Sequence, residues 1–496
     1  MAGVAFIIGM LARASRRFSF LHNLFGLMDT SSSTYRIGTF PVDQPLPEDA
    51  HKGLEAPQQM GRVQVTTLSN GVRVLTESET APGLVNLGIL LDCGSRDEQL
   101  TEHTDGMCFA LKNTFMKSNT RTNEQLNYCM VQMSGGEFTY EYDQEKTYLK
   151  ANCLAHDTYD FVQMMADCLL DDKTVIDEEA AQWRADEYWK LRDFSGTPDE
   201  KVSSLWHSTA YGLKGLGMPV SGFPGSFHRI GYSHMNEFRR REIVPSGIIV
   251  AAAGIKHHEE FVETVKPYYE HLEARTKSKR QSTPYLGGQH REICDSDTTY
   301  VNLSFESVPW TSPDLATAMV LKTLIGDGGG FSTGGPGKGM HSRAYTQILN
   351  RFYFINSVKS ENVSFSDSGH FRILAVGPSA ENEMIGYALV QVFLDLTNVS
   401  DTEVTRAKNC LKNQVCQTLE KASSRLEDTA KMLLTFNQTP QQLDYLKLIN
   451  SVSTEAVRKF VRKLLSSKPT VVAVGGDTHN VPSADRIEEI IRAKLG

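Results

Sequence analysis

Two periods of apolar residues alternate along the chain, and the switch between them marks out its elements. Residues 72–76 and 87–91 are short runs of β-branched and aliphatic side chains that read as strands, the first entered through the Asn70-Gly71 turn. Residues 371–376 read as another. In 404–419 the apolar Val404, Ala407, Leu411, Val415 and Leu419 recur at spacings of three and four, which predicts a helix. Residues 123–133 and 313–325 also read as helices, the second with Ser312 as N-cap and Pro313 in its first turn. An amphipathic stretch at 340–349 predicts a further one. Strands and helices interleave without a regular βαβ rhythm, so the expected fold class is α+β, a mixed β-sheet with helices packed on one face.

The pattern also repeats. Residues 85–90 (VNLGIL) and 301–306 (VNLSFE) lie 216 residues apart, and 249–254 (IVAAAG) and 471–476 (VVAVGG) lie 222 apart. Two matches at nearly one offset predict two homologous halves of about 220 residues. The charged, polar stretch 275–284, followed by Gly287-Gly288, reads as a linker. The expected division is a leader and extended lead-in at 1–45, a first half at 58–274, a linker at 275–292 and a second half at 293–496.

Composition narrows the class. At 496 residues, 40% hydrophobic and 22% charged, the chain can bury more than one core. A net charge of −8 and a pI near 6.0 disfavour nucleic acid, which wants a basic footprint. Cys93, Cys108, Cys129, Cys153, Cys168, Cys294, Cys410 and Cys416 form no Cys-x-x-Cys pair, and read as reduced, buried small apolar residues in a reducing compartment. Residues 1–28 hold Arg13, Arg16 and Arg17 and no acid, with the apolar Phe6, Ile7, Met10 and Leu11 ahead of the arginines. That is the composition of a mitochondrial transit peptide. Arg16-Arg17-Phe18-Ser19 resembles a processing site, with the cut after Phe18.

Eight of the fourteen residues from 326 to 339 (GDGGGFSTGGPGKG) are glycine, which marks a mobile or tightly turning loop. A phosphate-cradling loop fails on spacing: Ser332 stands where the first glycine should be and Gly339 where the hydroxyl should be. A surface loop with no ligand and a loop that approaches a peptide backbone both suit the composition.

The string 328–343 (GGGFSTGGPGKGMHSR), with Leu349-Asn350, resembles the glycine-rich loop of the α-subunit branch of the mitochondrial processing peptidases, in the pitrilysin-type metallopeptidase family. Gly94-Ser95-Arg96-Asp97-Glu98, 207–219 (HSTAYGLKGLGMP), 285–291 (YLGGQHR) and 406–412 (RAKNCLK) resemble segments of the same family in the expected order, and the resemblance spans 58–480. It implies two related α+β halves closing as a clam shell. Catalytic members carry His-x-x-Glu-His on a helix for zinc and a general base, with a further Glu downstream. Aligned from Gly106, this chain has Phe109, Lys112 and Asn113 at those positions, and Glu187 at the third ligand position without partners. Zinc needs three protein ligands and an open fourth position. The expectation is therefore no catalytic residue, no metal and no cofactor in this chain, with zinc in a β partner.

Substrate engagement then falls to the loop. The candidates are Gly326, Asp327, Gly328, Gly329, Gly330, Phe331, Ser332, Thr333, Gly334, Gly335, Pro336, Gly337, Lys338 and Gly339, whose backbone donors can reach an extended peptide. The resemblance implies a non-catalytic, substrate-recognising subunit of a heterodimeric processing peptidase in the mitochondrial matrix. Its partners would be a zinc-bearing β subunit and presequence peptides, with no nucleic acid. The alternative is core protein 2 of the cytochrome bc complex (complex III), a matrix-side scaffold among complex III subunits at the inner membrane; one protein can hold both roles.

Other polar clusters read as structural. His257-His258-Glu259-Glu260 looks metal-like, but adjacent side chains on a helix point about 100° apart. It reads as the opening of a surface helix, with Glu near the positive end. Glu98, Glu102, His103 and Asp105 read as a solvated loop, and His341 and His370 as satisfied surface or core histidines.

Overall fold

A computed structural model describes residues 61–78, 83–100, 104–114, 125–126, 128, 135–170, 198–223, 226, 230–329, 341–439 and 442–495, all inside one compact unit, Gln59–Gly496. The leader and lead-in, and nearly all of the helix expected at 123–133, lie outside the described residues.

Strands β1 (Val63–Thr67), β2 (Arg73–Ser78), β3 (Leu84–Leu91), β4 (Glu137–Tyr142), β5 (Thr147–Leu154) and β6 (Ile248–Ile255) form a sheet in the order β1-β2-β6-β3-β5-β4. Strands β7 (Gly288–Ile293), β8 (Thr298–Glu306), β9 (Gly328–Gly329), β10 (Ser357–Ser364), β11 (Gly369–Pro378) and β12 (Thr470–Gly475) form a second, in the order β7-β12-β8-β11-β10-β9. The run β2-β6-β3-β5-β4 recurs as β7-β12-β8-β11-β10. In both, the first pair is parallel and the others antiparallel. The sequence repeats fall on matching strands, 85–90 with 301–306 on β3 and β8, and 249–254 with 471–476 on β6 and β12. One topology is used twice.

The first half adds helices α1 (Met107–Thr114), α2 (Thr158–Leu170), α3 (Pro198–Tyr211), α4 (Tyr232–Glu242) and α5 (His258–Tyr269). The second adds α6 (Leu315–Ile325), α7 (Asn382–Asp395), α8 (Asp401–Glu420), α9 (Ala422–Phe436), α10 (Gln442–Ser451), α11 (Thr454–Leu465) and α12 (Ala484–Leu495). None of these is long and apolar enough to cross a membrane. Strand alternation gives each sheet two apolar faces. Val250 and Ala252 of β6 meet Phe161, Met165 and Phe261 of the first half's own helices. Ile249 and Ala251, on the other face, meet Leu426, Ala430 and Leu433 of α9 from the second half. The exchange is reciprocal, because α3 lays Val202, Trp206 and Ala210 on Leu374, Val472 and Val474 of the second sheet. Each half's own helices lie on one face, as expected; the helix borrowed from the other half has no counterpart in the sequence pattern.

The two borrowed seats differ in chemistry. The α9 seat is aliphatic and rimmed by charge: Arg425 Nε pairs with Glu77 at 2.6 Å and Lys150 Nζ with Glu427 at 2.7 Å. The α3 seat is polar. Trp206 Nε1 donates to Ser304 Oγ at 2.6 Å, and the Arg372 guanidinium lies 4.7 Å from the centre of the Trp206 ring. Among the described residues Asn302 Nδ2 and Oδ1, His370 Nε2, His207 Nδ1 and Arg372 Nη1 are buried without a hydrogen-bond partner. His370 is thus a core histidine, satisfied at Nδ1 by the Tyr211 hydroxyl at 3.3 Å but not at Nε2.

Between the halves, Arg96 Nη1 donates to Glu145 at 2.6 Å and to Asp367 at 2.7 Å, and Arg96 Nη2 to Asp367 at 2.6 Å. Glu145 sits in the β4–β5 turn and Asp367 in the matching β10–β11 turn. Gly94 makes this approach possible: a Cβ there would lie 2.5 Å from the backbone of Gln144 and Glu145. The linker is bolted to the same corner, with Arg280 bonded to both oxygens of Asp97 at 2.8 Å and Lys277 to Asp97 at 2.8 Å. Burial works to raise the Asp97 carboxyl, but the Arg280 and Lys277 contacts outweigh it and hold it below the ordinary range.

Several boundaries move. The stretch read as linker, 275–292, is connector only in its first part, since Gly288–Ile293 pairs with β12 as an edge strand. The helix read at 313–325 starts at Leu315 with Asp314 as cap, Ser312 Oγ accepting from Asp314 N instead. That at 404–419 runs from Asp401 to Glu420, opened by a Ser400–Glu403 capping box. The stretch at 340–349 becomes a π-helix at Ala344–Leu349. Cys93, Cys108, Cys153 and Cys168 are buried as expected, but Cys410 is exposed and Cys294 and Cys416 only half-buried.

Candidate functional site

Two places carry the functional expectations: helix α1, where zinc ligands would stand, and the base of the glycine-rich segment. On α1, Phe109 packs half-buried against the first core and Lys112 is exposed, its Nζ 5.9 Å from the centre of the Tyr142 ring. Neither a phenyl ring nor an ammonium offers a lone pair, so neither position fits a zinc ligand. The side chain of Asn113 and all of Glu187 lie outside the described residues. Among those described, no group of three or more His, Cys, Asp or Glu is arranged to hold a metal ion.

The acidic cluster ahead of α1 is not a solvated loop. Glu98 is 2% exposed and caps the helix from eight residues away, its Oε2 accepting from Gly106 N at 2.7 Å and its Oε1 from Cys108 N at 2.8 Å. Burial pushes its carboxyl up to about 8 against the pull of those two bonds. Asp105, also buried, accepts from the Ser226 hydroxyl. Glu102 and His103 lie outside the described residues. In the sequence the cap shows only as a carboxylate ahead of a helix start, and its distance from that start hides it.

At the glycine-rich segment, Gly326 ends α6 at φ 68° and ψ −171°, a region open essentially to glycine alone. A Cβ on Gly326 would lie 2.8 Å from Ser342 Cβ, so the two feet of the segment touch. Asp327 Oδ1 accepts from Ser360 N at 2.7 Å, and Gly328–Gly329 pairs with Val358 and Ser357 as the sheet's last strand. Gly326 is thus a helix cap and Gly328–Gly329 a sheet edge, with Asp327 tied to Ser360 between them, a correction to the reading of 326–339 as one mobile or tightly turning loop. The other foot is fixed by Arg343, which pairs with both oxygens of Glu403 at 2.7 and 3.0 Å and donates to Asp395 O at 2.8 Å. Burial opposes ionisation of Glu403, but the Arg343 and Ser400 contacts hold its carboxyl down to about 2. Gly330, Phe331, Ser332, Thr333, Gly334, Gly335, Pro336, Gly337, Lys338 and Gly339 lie outside the described residues.

His258 opens α5 after His257, as expected, but its ring is buried: Nε2 bonds Thr66 Oγ1 and Nδ1 bonds Thr76 Oγ1, each at 2.7 Å. It is a strand-to-helix tie. His341 is exposed.

The chain matches known families over most of its sequence. Residues 73–222 match the family described as Insulinase (Peptidase family M16), and residues 229–411 match the Peptidase M16 inactive domain. The chain belongs to peptidase family M16. Within it, the chain is 28% identical over 483 residues to the mitochondrial-processing peptidase subunit alpha of Solanum tuberosum, covering 94% of this chain and 91% of that one. It is 25% identical to the subunit alpha of Homo sapiens, over 92% of this chain and 90% of that one. A probable mitochondrial-processing peptidase subunit beta of Arabidopsis thaliana is 26% identical over 87% of this chain and 81% of that one. A chain of the solved Complex III2 from Candida albicans, Inz-5 bound, shares the fold with a TM-score of 0.72 at 18% identity, covering 87% of this chain and all of that one.

Proposed function

We propose that this chain is the non-catalytic, substrate-recognising α subunit of a mitochondrial processing peptidase, working with a zinc-bearing β subunit on presequence peptides. Near full-length likeness to relatives named as subunit alpha is the observation that carries this reading. Phe109 and Lys112 support the absence of metal and of a catalytic residue in this chain, since neither can donate to zinc. A β relative from the same family supports a partner of like fold. The chain is mitochondrial, and the matrix is its place in this reading.

The glycine-rich segment is the substrate-engaging element, set on two fixed feet. Deleting residues 327–337 should weaken presequence binding and turnover by the reconstituted heterodimer while leaving subunit assembly intact. Processing of precursors at the undeleted rate would remove the segment from this role. A second reading, a structural subunit of complex III, is favoured by the fold shared with the Complex III2 chain. Native-gel fractionation of mitochondria separates the two: co-migration with complex III supports the scaffold, and a soluble dimer of about twice the chain's mass supports the peptidase.

A further inference from the structure

Three cross-strand rows line up on the face of the first sheet that receives α9. Asn86 of β3, Asn152 of β5 and Glu137 of β4 share one, Gly88, Lys150 and Thr139 the next, and Leu90, Tyr148 and Glu141 the third. Leu90 lies in the apolar cluster with α9, and beside it Ser423 and Leu426 of α9 wall a cavity of about 200 Å³ floored by the polar rows. That is below the ~300–1,000 Å³ of small-molecule sites and suits one long side chain. Two buried groups open into it. Tyr148 is 4% exposed and Asn86 8%, both line the cavity, and neither side chain makes a hydrogen bond among the described residues. Gly88 admits the ring, since a Cβ there would strike the Tyr148 hydroxyl. The charges leave one carboxylate over. Lys150 pairs with Glu141 at 2.5 Å and Glu427 at 2.7 Å, and Lys431 with Glu427 at 2.6 Å, two ammoniums on two carboxylates. Among the described residues Glu137 has no ion pair, only a long 3.5 Å bond from Asn152. In the second half the matching Asn302 sits opposite Leu374, on which α3 packs, and is wholly buried. The repeated row is sealed in one half and open in the other.

We propose that this cavity is an arginine subsite: the guanidinium of one arginine of an extended peptide pairs with Glu137, and its remaining N–H groups bond Asn86 Oδ1 and the Tyr148 hydroxyl. A planar fork meets a carboxylate through two parallel bonds and keeps donors for further acceptors. Asn86 and Tyr148 can both accept, so the cation satisfies buried atoms that an apolar side chain would leave unpaired. An anion would meet Glu137 unneutralised. The source of the arginine rests on the proposed function, in which presequences supply it; the spare carboxylate and the free acceptors do not. A side-chain-reading site then stands on this chain itself, outside the glycine-rich segment.

The test is a double-mutant cycle in the reconstituted heterodimer, with Glu137→Gln on the chain and each arginine of a presequence peptide changed in turn to citrulline, its neutral isostere. At one arginine, either change alone should weaken peptide binding about fivefold, and both together no more than either alone. Tyr148→Phe should weaken the same peptide while melting with the wild type, because its hydroxyl holds nothing in the free chain. Additive losses at every arginine overturn the proposal, and so does a lysine at the coupled position that binds as tightly as arginine. A second arm needs no presequence: in saturation-transfer NMR on the chain alone, N-acetylarginine amide should give a signal that Glu137→Gln abolishes. No signal, or one unchanged in Glu137→Gln, overturns the pocket. A wild-type heterodimer that binds no presequence, while the amide still depends on Glu137, sinks the proposed function and leaves the subsite standing.

Discussion

Arg96 grips Asp367 through two parallel hydrogen bonds of 2.7 and 2.6 Å, and the same guanidinium holds Glu145 at 2.6 Å. The two carboxylates occupy matching turns of the repeated halves, so one side chain ties equivalent corners together. Bidentate pairs of this kind add geometry to charge. With its side chain 2% exposed, Arg96 is nearly free of screening; Asp367, at 25%, is not.

Asp367→Asn should lower stability by about 2 kcal/mol, below the ~3–5 of a fully buried pair because Asp367 is partly wet. Burial works to raise the Asp367 carboxyl, but Arg96 holds it below the ordinary range. Its contribution is therefore present above about pH 4 and lost as pH falls through the folded value. Urea denaturation at pH 7 and pH 3 should show the two proteins differing more at the first than at the second.

Glu98→Gln should flatten a pH dependence of opposite sign. Its folded carboxyl is raised to about 8, so the stability linked to it is full below about pH 4.5 and is lost as pH rises through about 8. Denaturation midpoints at pH 5, 7 and 9 should fall for the wild type more steeply than for the variant. A parallel fall in both would mean that the two backbone bonds keep Glu98 ionised.

Asn302→Leu should stabilise, by about 1 kcal/mol. Both polar atoms of Asn302 are buried without partners, and an unsatisfied buried group costs about 1–3 kcal/mol that an apolar side chain of similar volume does not. Ser304→Ala, in the same strand, should do the reverse by about 1 kcal/mol, because it strands the Trp206 indole N–H. Equal losses from both would show that Asn302 is satisfied by bound water.

Gly326→Ala should cost about 1–3 kcal/mol through its φ of 68° and ψ of −171°, and because the new methyl would meet Ser342. Thermal melting should report the loss, and hydrogen exchange should place it at Asp327 and Ser342. A variant melting with the wild type would mean the two feet separate at no cost.

The doubled sheet is legible because strands announce themselves locally: 85–90 and 301–306 are alike before anything folds. The five residues Gly94 to Glu98 are legible only as a resemblance. Arg96 meets Asp367 from 271 residues away and Glu145 from 49, distances at which no local pattern speaks. Glu98 reads as solvated for a like reason, since the backbone donors that hold it, Gly106 N and Cys108 N, lie eight and ten residues on. The glycine-rich stretch shows the limit of composition. Gly328–Gly329 is as glycine-dense as the rest of that stretch, yet a partner strand at Ser357 and Val358 makes it sheet. Trp206 reads as an ordinary helix residue until the second sheet is there to receive it.

That exchange of helices makes the two halves poor candidates for separate lives. A ribosome releases β1 to β6 long before α9, so the first sheet leaves the tunnel with Leu75, Leu90 and Ile249 bare, and α3 carries Trp206 with nothing beneath it. Only when residues 422–436 emerge does the earlier half acquire its second wall, and only then is the later half's sheet already roofed by a helix made long before. Duplication gave the chain two copies of one plan, and the swap of a helix each way turned the pair into a single object that cannot be cut at its own seam.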